Sequence, residues 1–422
     1  MPDALPVTLS VPKGQGDLHC RSCGHALSAE VVDLGLSPPS NALTSPDALG
    51  RGEMFYPLHA FVCERCYLVQ LDKFAGPDEL FRDYRYFSSY STTWLAHAEA
   101  YAQEMTRRGI GSRSRVVEVA SNDGYLLRNF VARGVPVLGI EPASNVAAVA
   151  REAGVPTLDE FFGTALAHRV RAEFGAAHLI VANNVLAHVP DLNDFVGGFA
   201  TLLAPDGIVT IEFPHVLRTI AGMQFDTIYH EHFSYLSLIA LTPLFARHGL
   251  EIVEVVELST HGGSLRVFVA PRGSRSIEPS VAAALAAERA AGLDRIETYA
   301  AFGARMARIR DDFVTFLHDA KHAGKRVAGY GAAAKATTLL NYAGVRADLL
   351  PYVADKSPHK QGYLVPGVRV PIVAPERIRA DRPDFIVIFP WNVEDEIRAE
   401  LADVRDWGGR FVLAIPALRV DA

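Results

Sequence analysis

Long apolar runs and an excess of basic residues are both absent from this 422-residue sequence. No stretch approaches the roughly 20 consecutive apolar residues that a transmembrane helix needs, and Met1–Ser10 lacks the basic start and apolar core of a signal peptide. We therefore expect a cytoplasmic protein that contacts no membrane. A net charge of −7 argues against nucleic-acid binding through a broad basic face.

Cysteine is also scarce, but its four copies form two C-x-x-C pairs near the N-terminal end. Each pair has the spacing that suits two ligands of a tetrahedral Zn²⁺, and a reducing compartment disfavours disulfides. A redox-active C-x-x-C is the alternative, but two pairs near one end favour zinc. Four thiolates leave no open coordination position, so we expect a structural zinc held by Cys20, Cys23, Cys63 and Cys66.

The segment Val116–Asn129 is typical of a β-strand, a tight turn and the start of a helix. Ala120, Asn122 and Gly124 stand where a nucleotide-binding turn has small residues, and asparagine tolerates the left-handed conformation that glycine would otherwise supply. Asp123 would repel a pyrophosphate but suits a cationic ligand, which favours S-adenosylmethionine (SAM) over a dinucleotide. An ordinary strand-helix connection without a ligand is the alternative.

The next strand, predicted at Val135–Ile140, ends in Glu141, about 20 residues after the turn, where an acidic side chain can accept hydrogen bonds from a ribose. The strand predicted at His178–Ala182 ends in two asparagines at the same carboxyl edge. The candidate cofactor-binding residues are Glu118, Ala120, Ser121, Asn122, Asp123, Gly124, Glu141, Pro142, Asn183 and Asn184.

Strands and helices alternate from Arg115 to about Val269, and the strands are apolar enough to be buried on both faces. This pattern predicts an α/β fold with a doubly wound, Rossmann-like sheet. We expect three domains: a small zinc-binding module over 1–78, the central domain over 79–276, and a second, smaller Rossmann-like domain over 277–422. The Ala-rich segment 280–321 predicts one or two long helices that join the last two.

A second strand-turn-helix unit opens the C-terminal domain. Its residues from Gly329 to Ala334 match G-x-G-x-x-A, a variant of the dinucleotide-binding turn. The next strand is predicted at Leu349–Val353. Taken by itself, this part of the sequence predicts an NAD site, and hence an oxidoreductase.

The densest group of reactive side chains lies between Phe225 and Tyr235, after the strand predicted at Ile208–Glu212. Histidine suits general-base work near neutral pH, a neighbouring glutamate can orient it, and a tyrosine hydroxyl can stabilise an oxyanion. Two alternatives stay open: His230 and His232 bind a metal together, or the segment is a polar loop that satisfies its own hydrogen bonds.

Taken together, these residues resemble the zinc-containing, SAM-dependent C-methyltransferases of nucleotide-linked deoxysugars, of the TDP-4-keto-sugar C-3 methyltransferase type. Five motifs carry the resemblance, in that family's order and over nearly the whole chain. They are the paired C-x-x-C, the turn from Glu118 to Gly124, the segment from Tyr229 to Tyr235, His261-Gly-Gly-Ser264, and the turn from Gly329 to Lys335.

The resemblance implies methylation of a carbon next to the ketone of a nucleotide-linked, TDP-type 4-keto-deoxysugar through an enolate, with His232 as the base. It also implies that the second glycine-rich turn binds the diphosphate of the sugar nucleotide. We expect a monomer or a small homo-oligomer. The candidate catalytic residues are His232, Tyr229, Glu231, His188 and Tyr86. The candidate substrate-binding residues are Tyr84, Ser88, Ser89, His261, Gly329, Gly331 and Lys335.

Two classes of protein compete with this interpretation. An NAD-dependent nucleotide-sugar oxidoreductase would use the turn from Gly329 to Lys335, and a scaffolding protein would bind neither cofactor.

Overall fold

A computed structural model describes residues 18–74 and 87–421, which form sheets of four, seven and six strands. The predicted α/β architecture is confirmed: a central Rossmann-like domain follows a cysteine-bearing N-terminal module and precedes a C-terminal domain with its own parallel sheet. Within the described ranges, no helix combines the length and the apolar character needed to cross a membrane.

The N-terminal sheet is antiparallel and takes its last strand from the middle of the chain. Its order is β1-β2-β3-β9, with Gln70 opposite Ser234 and Val69 opposite Tyr235. Because β9 forms the C-terminal end of the predicted catalytic segment, Phe225 to Tyr235, the cysteine-bearing module holds that end of the segment. The strands are β1 (Ala29–Ser37), β2 (Tyr56–Val62), β3 (Val69–Leu71) and β9 (Ser234–Tyr235).

The central sheet has the order β10-β11-β8-β7-β4-β5-β6 and is parallel except at β11. β4 and β7 are adjacent, so their carboxyl ends place the cofactor turn beside the two predicted asparagines. β10 and β11 form an antiparallel pair, and His261 lies in the connection between them. The strands are β4 (Val116–Val119), β5 (Val137–Ile140), β6 (Thr157–Leu158), β7 (Ala177–Asn183), β8 (Leu203–Pro214), β10 (Leu250–Leu258) and β11 (Ser264–Pro271).

Helices cover the central sheet and bury their apolar faces against it. All four residues of β4 are buried, as expected for a strand covered on both sides. The helices are α1 (Thr92–Arg107), α2 (Leu127–Val131), α3 (Ser144–Glu152), α4 (Thr164–Glu173), α5 (Leu192–Leu202), α6 (Val216–Ala221) and α7 (Leu238–Arg247).

Two helices, α8 (Pro279–Ala290) and α9 (Ile296–His322), occupy the predicted joining segment. α9 packs on β1 so closely that a Cβ at Gly303 would lie 2.5 Å from the carbonyl oxygen of Val31. One hydrophobic cluster joins the N-terminal sheet, α9 and the C-terminal domain. The three parts therefore share a core.

The C-terminal sheet has the order β14-β13-β12-β15-β16-β17 and is parallel except at its last strand. The prediction of a strand at Leu349–Val353 is wrong, because β13 begins only at Val353. Pro351 has no N–H group to donate to a sheet. The backbone N–H groups of Leu349 and Leu350 donate instead to the Arg346 carbonyl. The elements are β12 (Val327–Tyr330), α10 (Ala334–Ala343), β13 (Val353–Ala354), β14 (Ile372–Val373), α11 (Glu376–Asp381), β15 (Phe385–Ile388), α12 (Glu394–Glu400), β16 (Arg410–Leu413) and β17 (Arg419–Val420).

Candidate active site

The four cysteines converge although 39 residues separate the two pairs. Their sulfur atoms all lie within 4.8 Å of one another, and among the described residues they are the only group of three or more side chains arranged to hold a metal ion. Sγ of Cys20 lies 3.5 Å from Sγ of Cys66, and Sγ of Cys23 lies 3.5 Å from Sγ of Cys63. This all-sulfur set fits a closed tetrahedral zinc site.

In the cofactor turn at the end of β4, every second residue from Ala120 to Gly124 has a left-handed backbone conformation. The φ angles are 58° at Ala120, 49° at Asn122 and 78° at Gly124, so the expected left-handed asparagine is confirmed. A Cβ at Gly124 would lie 2.9 Å from Cγ2 of Val155. The turn therefore needs small residues for space as well as for conformation.

Glu141 holds this turn in place. One carboxylate oxygen accepts the backbone N–H of Asn122 at 3.0 Å, and the other accepts that of Ala143 at 3.0 Å. Pro142 lies between Glu141 and Ala143 and is half-buried. Each carboxylate oxygen keeps a second lone pair that can accept a ligand hydroxyl, and the role of Glu141 in binding a ribose stays a prediction.

The residues around the cofactor turn carry several unsatisfied acceptors. Both carboxylate oxygens of Glu118, together with Oδ1 of Asp123 and Oδ1 of Asn183, are buried and have no hydrogen-bond partner within the described part of the chain. Burial, and then the carboxylates of Glu141, Asp123 and Glu212, raise the pKa of Glu118. Such a site fits a ligand that brings a cation and several N–H or O–H donors.

The segment carrying Ser88 and Ser89 crosses the cofactor turn. The backbone N–H of Ser88 donates to Oδ1 of Asn122 at 2.8 Å, and that of Ser89 donates to Oδ2 of Asp123 at 3.1 Å. These contacts place the two serines at the cofactor turn, and their predicted role in substrate binding stays a prediction. The predicted residues Tyr84 and Tyr86 lie outside the described ranges.

The side chain of His232 has a defined tautomer. Its Nδ1 lies 3.0 Å from the carbonyl oxygen of Thr227, which can only accept, so Nδ1 carries the hydrogen. Nε2 is then unprotonated and accepts the hydroxyl hydrogen of Tyr229 at 2.8 Å. Burial, followed by repulsion from the His188 ring where both rings are protonated, lowers the pKa of His232 well below its usual value. His232 is therefore a neutral base at pH 7.

His188 and Glu231 flank this base. The His188 ring meets the His232 ring edge to face, with centroids 4.7 Å apart, and burial lowers the pKa of His188 to about 4. Burial raises the pKa of Glu231 to about 7. Nδ2 of Asn41, from the N-terminal module, donates to Oε1 of Glu231 at 2.6 Å. No sequence pattern indicated Asn41, which lies 190 residues from Glu231 along the chain.

Some side chains of this segment are partly exposed and others are buried. Tyr229 and His232 keep part of their surface open, whereas His230, Glu231 and Phe233 are buried. Nε2 of His230 lies 3.2 Å from the carbonyl oxygen of Pro57 and donates to it. Because the His230 and His232 rings are engaged in different hydrogen bonds, the alternative of a shared metal site has no support from these contacts.

Aromatic side chains connect the cofactor turn to the predicted residue His261. The Trp94 ring lies 6.2 Å from that of Tyr125, which follows the turn, and 5.4 Å from that of His261. Desolvation, followed by the charge of Lys335, lowers the pKa of His261 to about 4. Trp94 thus contacts both His261 and the residue that follows the cofactor turn.

The acidic residue Glu212, at the carboxyl end of β8, was not predicted as a site residue. Its carboxylate accepts Nε of Arg266 at 2.7 Å and lies 2.9 Å from Nε2 of His97. Its carbonyl accepts the N–H of Asn184, which has a φ of 52°. Its position at the end of a buried strand was the available signal, whereas nothing in the sequence indicated His97.

The turn of the C-terminal domain satisfies its own N–H groups. The N–H of Gly331 donates to the Ala354 carbonyl at 2.7 Å, and that of Ala332 donates to the Asp355 carboxylate at 2.8 Å. A Cβ at Gly331 would lie 2.4 Å from Cδ of Pro390, so proline occupies the space that this glycine opens. The prediction that Gly329 and Gly331 hold a diphosphate gains no support from these contacts, and neither does NAD binding.

The fold and the acceptor-rich turn define the class of SAM-dependent methyltransferases. Three domain families match the chain: a putative zinc-binding domain over residues 20–81, a methyltransferase domain over 81–255, and a C-methyltransferase C-terminal domain over 259–416. The C-methyltransferase NovU of Streptomyces niveus is 37% identical over 403 residues, which cover 95% of this chain and 96% of that protein. The chain belongs to this family of zinc-containing C-methyltransferases.

Solved methyltransferases match less than half of the chain at low identity. Magnesium protoporphyrin IX methyltransferase from Synechocystis, with bound SAM, is 14% identical, covers 42% of this chain and 78% of its own, and has a TM-score of 0.31. A possible histamine N-methyltransferase from Thermotoga maritima is 15% identical, covers 44% of this chain and 95% of its own, and has a TM-score of 0.33.

The protein is thus a C-methyltransferase with SAM as its cofactor and zinc in its four-cysteine module. The buried acceptors around Glu118 and Asp123 fit SAM, which carries both an ammonium and a sulfonium group. They would hold the cofactor by its cationic end.

Proposed function

We propose that the chain methylates a carbon next to the ketone of a nucleotide-linked 4-keto-deoxysugar, through an enolate and with His232 as the general base. The observation that carries this proposal is the unprotonated Nε2 of His232, which accepts the hydroxyl hydrogen of Tyr229. The likeness of the five motifs to deoxysugar C-methyltransferases supports the substrate class.

Carbon becomes a nucleophile here only if an adjacent carbonyl takes up the charge. Nε2 of His232 removes the proton, the C–H electron pair moves into the enolate, and the Thr227 carbonyl stabilises the resulting imidazolium through Nδ1–H. The Tyr229 hydroxyl, released from Nε2, can donate to the enolate oxygen. SAM, when bound, supplies a methyl group made electrophilic by its positively charged sulfur.

Turnover of a defined sugar nucleotide tests the proposal. The purified enzyme is incubated with SAM and TDP-4-keto-6-deoxyglucose, and mass spectrometry follows transfer of one methyl group to the sugar. His232→Gln should nearly abolish turnover while its affinity for SAM, measured by calorimetry, stays within about twofold. A His232→Gln enzyme that turns over at the wild-type rate would show that the base is another residue.

A further inference from the structure

One face of α10 packs directly on the segment that holds the proposed base. Lys335, Thr338 and Tyr342 are three and four residues apart and so share this face. Oγ1 of Thr338 donates to the Ile228 carbonyl at 3.0 Å, and the Tyr342 ring lies 5.7 Å from that of Phe225. The same face therefore carries Lys335 towards residues 225–228, whose Thr227 carbonyl binds His232.

The ammonium group of Lys335 is held by two neighbouring residues of the C-terminal domain. Its Nζ lies 4.1 Å from the centroid of the Trp391 ring and donates to Oδ1 of Asn392. Trp391 in turn donates from Nε1 to the Asp226 carboxylate at 2.8 Å. The indole fits there because position 262 is glycine: a Cβ at Gly262 would lie 2.4 Å from the ring.

The charge of Lys335 acts on two histidines, one of them the proposed base. Burial lowers the pKa of Lys335 to about 8, and the Asp226 carboxylate opposes this shift. The ammonium group contributes to the lowered pKa of both His232 and His261. Oδ1 of Asp226 is buried and has no hydrogen-bond partner among residues 18–74 and 87–421. Asp226 therefore offers a compensating charge without neutralising Lys335 by direct contact.

A role in binding diphosphate fits these contacts poorly. A phosphate site on a glycine-rich turn depends on backbone N–H groups that are available to the ligand. Here the N–H groups of Gly331 and Ala332 are donated within the protein, and that of Ala333 donates to the Gly331 carbonyl at 2.8 Å. The Lys335 ammonium group instead lies over the Trp391 ring, whose Nε1 donates to Asp226, one residue before the Thr227 carbonyl that binds His232.

We propose that Lys335 is a catalytic residue whose ammonium group stabilises the negative charge on the enolate oxygen while His232 takes the proton. The inference rests on the proposed function and assigns a new role within it. Asn392, Trp391 and Asp226 are then positioning residues, which hold the ammonium group at the oxyanion. No bond to Lys335 forms or breaks, because it acts as a charged hydrogen-bond donor throughout.

Proton exchange without methyl transfer isolates this step. The enzyme, saturated with TDP-4-keto-6-deoxyglucose and with S-adenosylhomocysteine in place of SAM, is placed in D₂O, and NMR follows deuterium uptake at the carbons next to the ketone. We expect Lys335→Met to lower the saturated exchange rate about 100-fold and Lys335→Arg to restore at least part of it. The affinity for TDP should change less than twofold. The exposed Lys321→Met is the matched control and should exchange like the wild type.

The possible outcomes distinguish failure of the enolate route from failure of the role of Lys335. If the wild-type enzyme shows no exchange, the enolate route and the role of Lys335 fall together. If the wild type exchanges and Lys335→Met exchanges equally fast at saturation, only the role of Lys335 is overturned. A loss of TDP affinity in that variant would then assign Lys335 to binding of the diphosphate. Melting temperature and SAM affinity verify that each variant is folded. Should Lys335→Met fail to fold, Asn392→Ala, which releases the ammonium group, must slow exchange in the same way.

Discussion

The hydroxyl of Tyr229 lies 2.8 Å from Nε2 of His232, and the Thr227 carbonyl engages the other nitrogen of that ring. The ring is thereby fixed in orientation and tautomer before any substrate binds. Such preorganisation matters because a base must meet its proton within hydrogen-bond distance. Tyr229 and His232 are three residues apart, so one local turn builds the whole arrangement.

Replacing Tyr229 by phenylalanine removes the hydroxyl group and keeps the aromatic ring. We expect kcat to fall about 10²- to 10³-fold because the enolate loses a donor, while the affinity for SAM is unchanged. Steady-state kinetics and calorimetry measure the two quantities. A Tyr229→Phe enzyme with an unaltered kcat would mean that this hydroxyl serves only to orient His232.

The cofactor turn and the zinc ligands were predictable because each depends on residues that are only a few positions apart in the sequence. A left-handed turn needs small residues or asparagine at alternate positions, and a tetrahedral metal needs paired ligands. Asn41, Trp391 and Asn392 carry no such local pattern. They reach the site only through packing between domains, and such contacts leave no periodic pattern in the sequence.

Two elements show why parts of the fold escaped prediction. β9 is two residues long, too short to display an alternating pattern, yet it joins the N-terminal sheet to the catalytic segment. The run Leu349–Val353 is apolar enough for a strand, but Pro351 interrupts it and only Val353 pairs with β12. The apolar residues of this run correctly predicted that it is mostly buried, but they wrongly predicted that all of it is hydrogen-bonded in a sheet.

The substitution Ala120→Gly should stabilise the protein. Ala120 has a φ of 58°, a conformation that costs a residue with a Cβ about 1–2 kcal/mol and glycine very little. We expect a higher melting temperature by scanning calorimetry, with the affinity for SAM kept. The control is Ala148→Gly in the middle of α3, which should lower the melting temperature because glycine costs about 1 kcal/mol in a helix. Equal destabilisation by both changes would argue against strain at the turn.

The substitution Glu118→Gln should stabilise the cofactor-free enzyme and weaken cofactor binding. The pKa of Glu118 is raised in the folded protein, so folding is opposed increasingly as the pH rises above the unfolded value of about 4.5. The gain from glutamine should therefore be small at pH 5 and larger at pH 8, as measured by thermal unfolding. SAM affinity should fall about 10- to 100-fold, because a charge-assisted contact is lost.

A matched substitution distinguishes this effect from a general loss of negative charge. Glu152→Gln, at the exposed end of α3, should alter neither the stability nor the SAM affinity appreciably. If Glu118→Gln bound SAM as tightly as the wild type, its carboxylate would not face the cationic end of the cofactor.

Zinc removal should impair catalysis more than cofactor binding. The zinc module reaches the catalytic segment through β9 and through Nη1 of Arg21, which donates to the Phe233 carbonyl at 3.1 Å. Chelation should therefore lower kcat about 10- to 100-fold through misplacement of His232, with a smaller change in the affinity for SAM. Arg21→Ala, with its zinc content verified by metal analysis, should show a weaker form of the same defect. Full activity in zinc-free enzyme would exclude this coupling.

The contact between Asn41 and Glu231 should appear in the pH dependence of turnover. The pKa of Glu231 is raised to about 7 by burial, and the hydrogen bond from Asn41 restrains that rise. If the ionised carboxylate accepts a sugar hydroxyl, Asn41→Ala should move the acidic limb of kcat/KM upward by about one pH unit. Asn41→Asp should move it further, since a second carboxylate disfavours ionisation of the first. Asn41 is exposed, so neither change should affect the melting temperature much. A uniform loss of activity at every pH, with the limb in place, would reduce Asn41 to a structural contact.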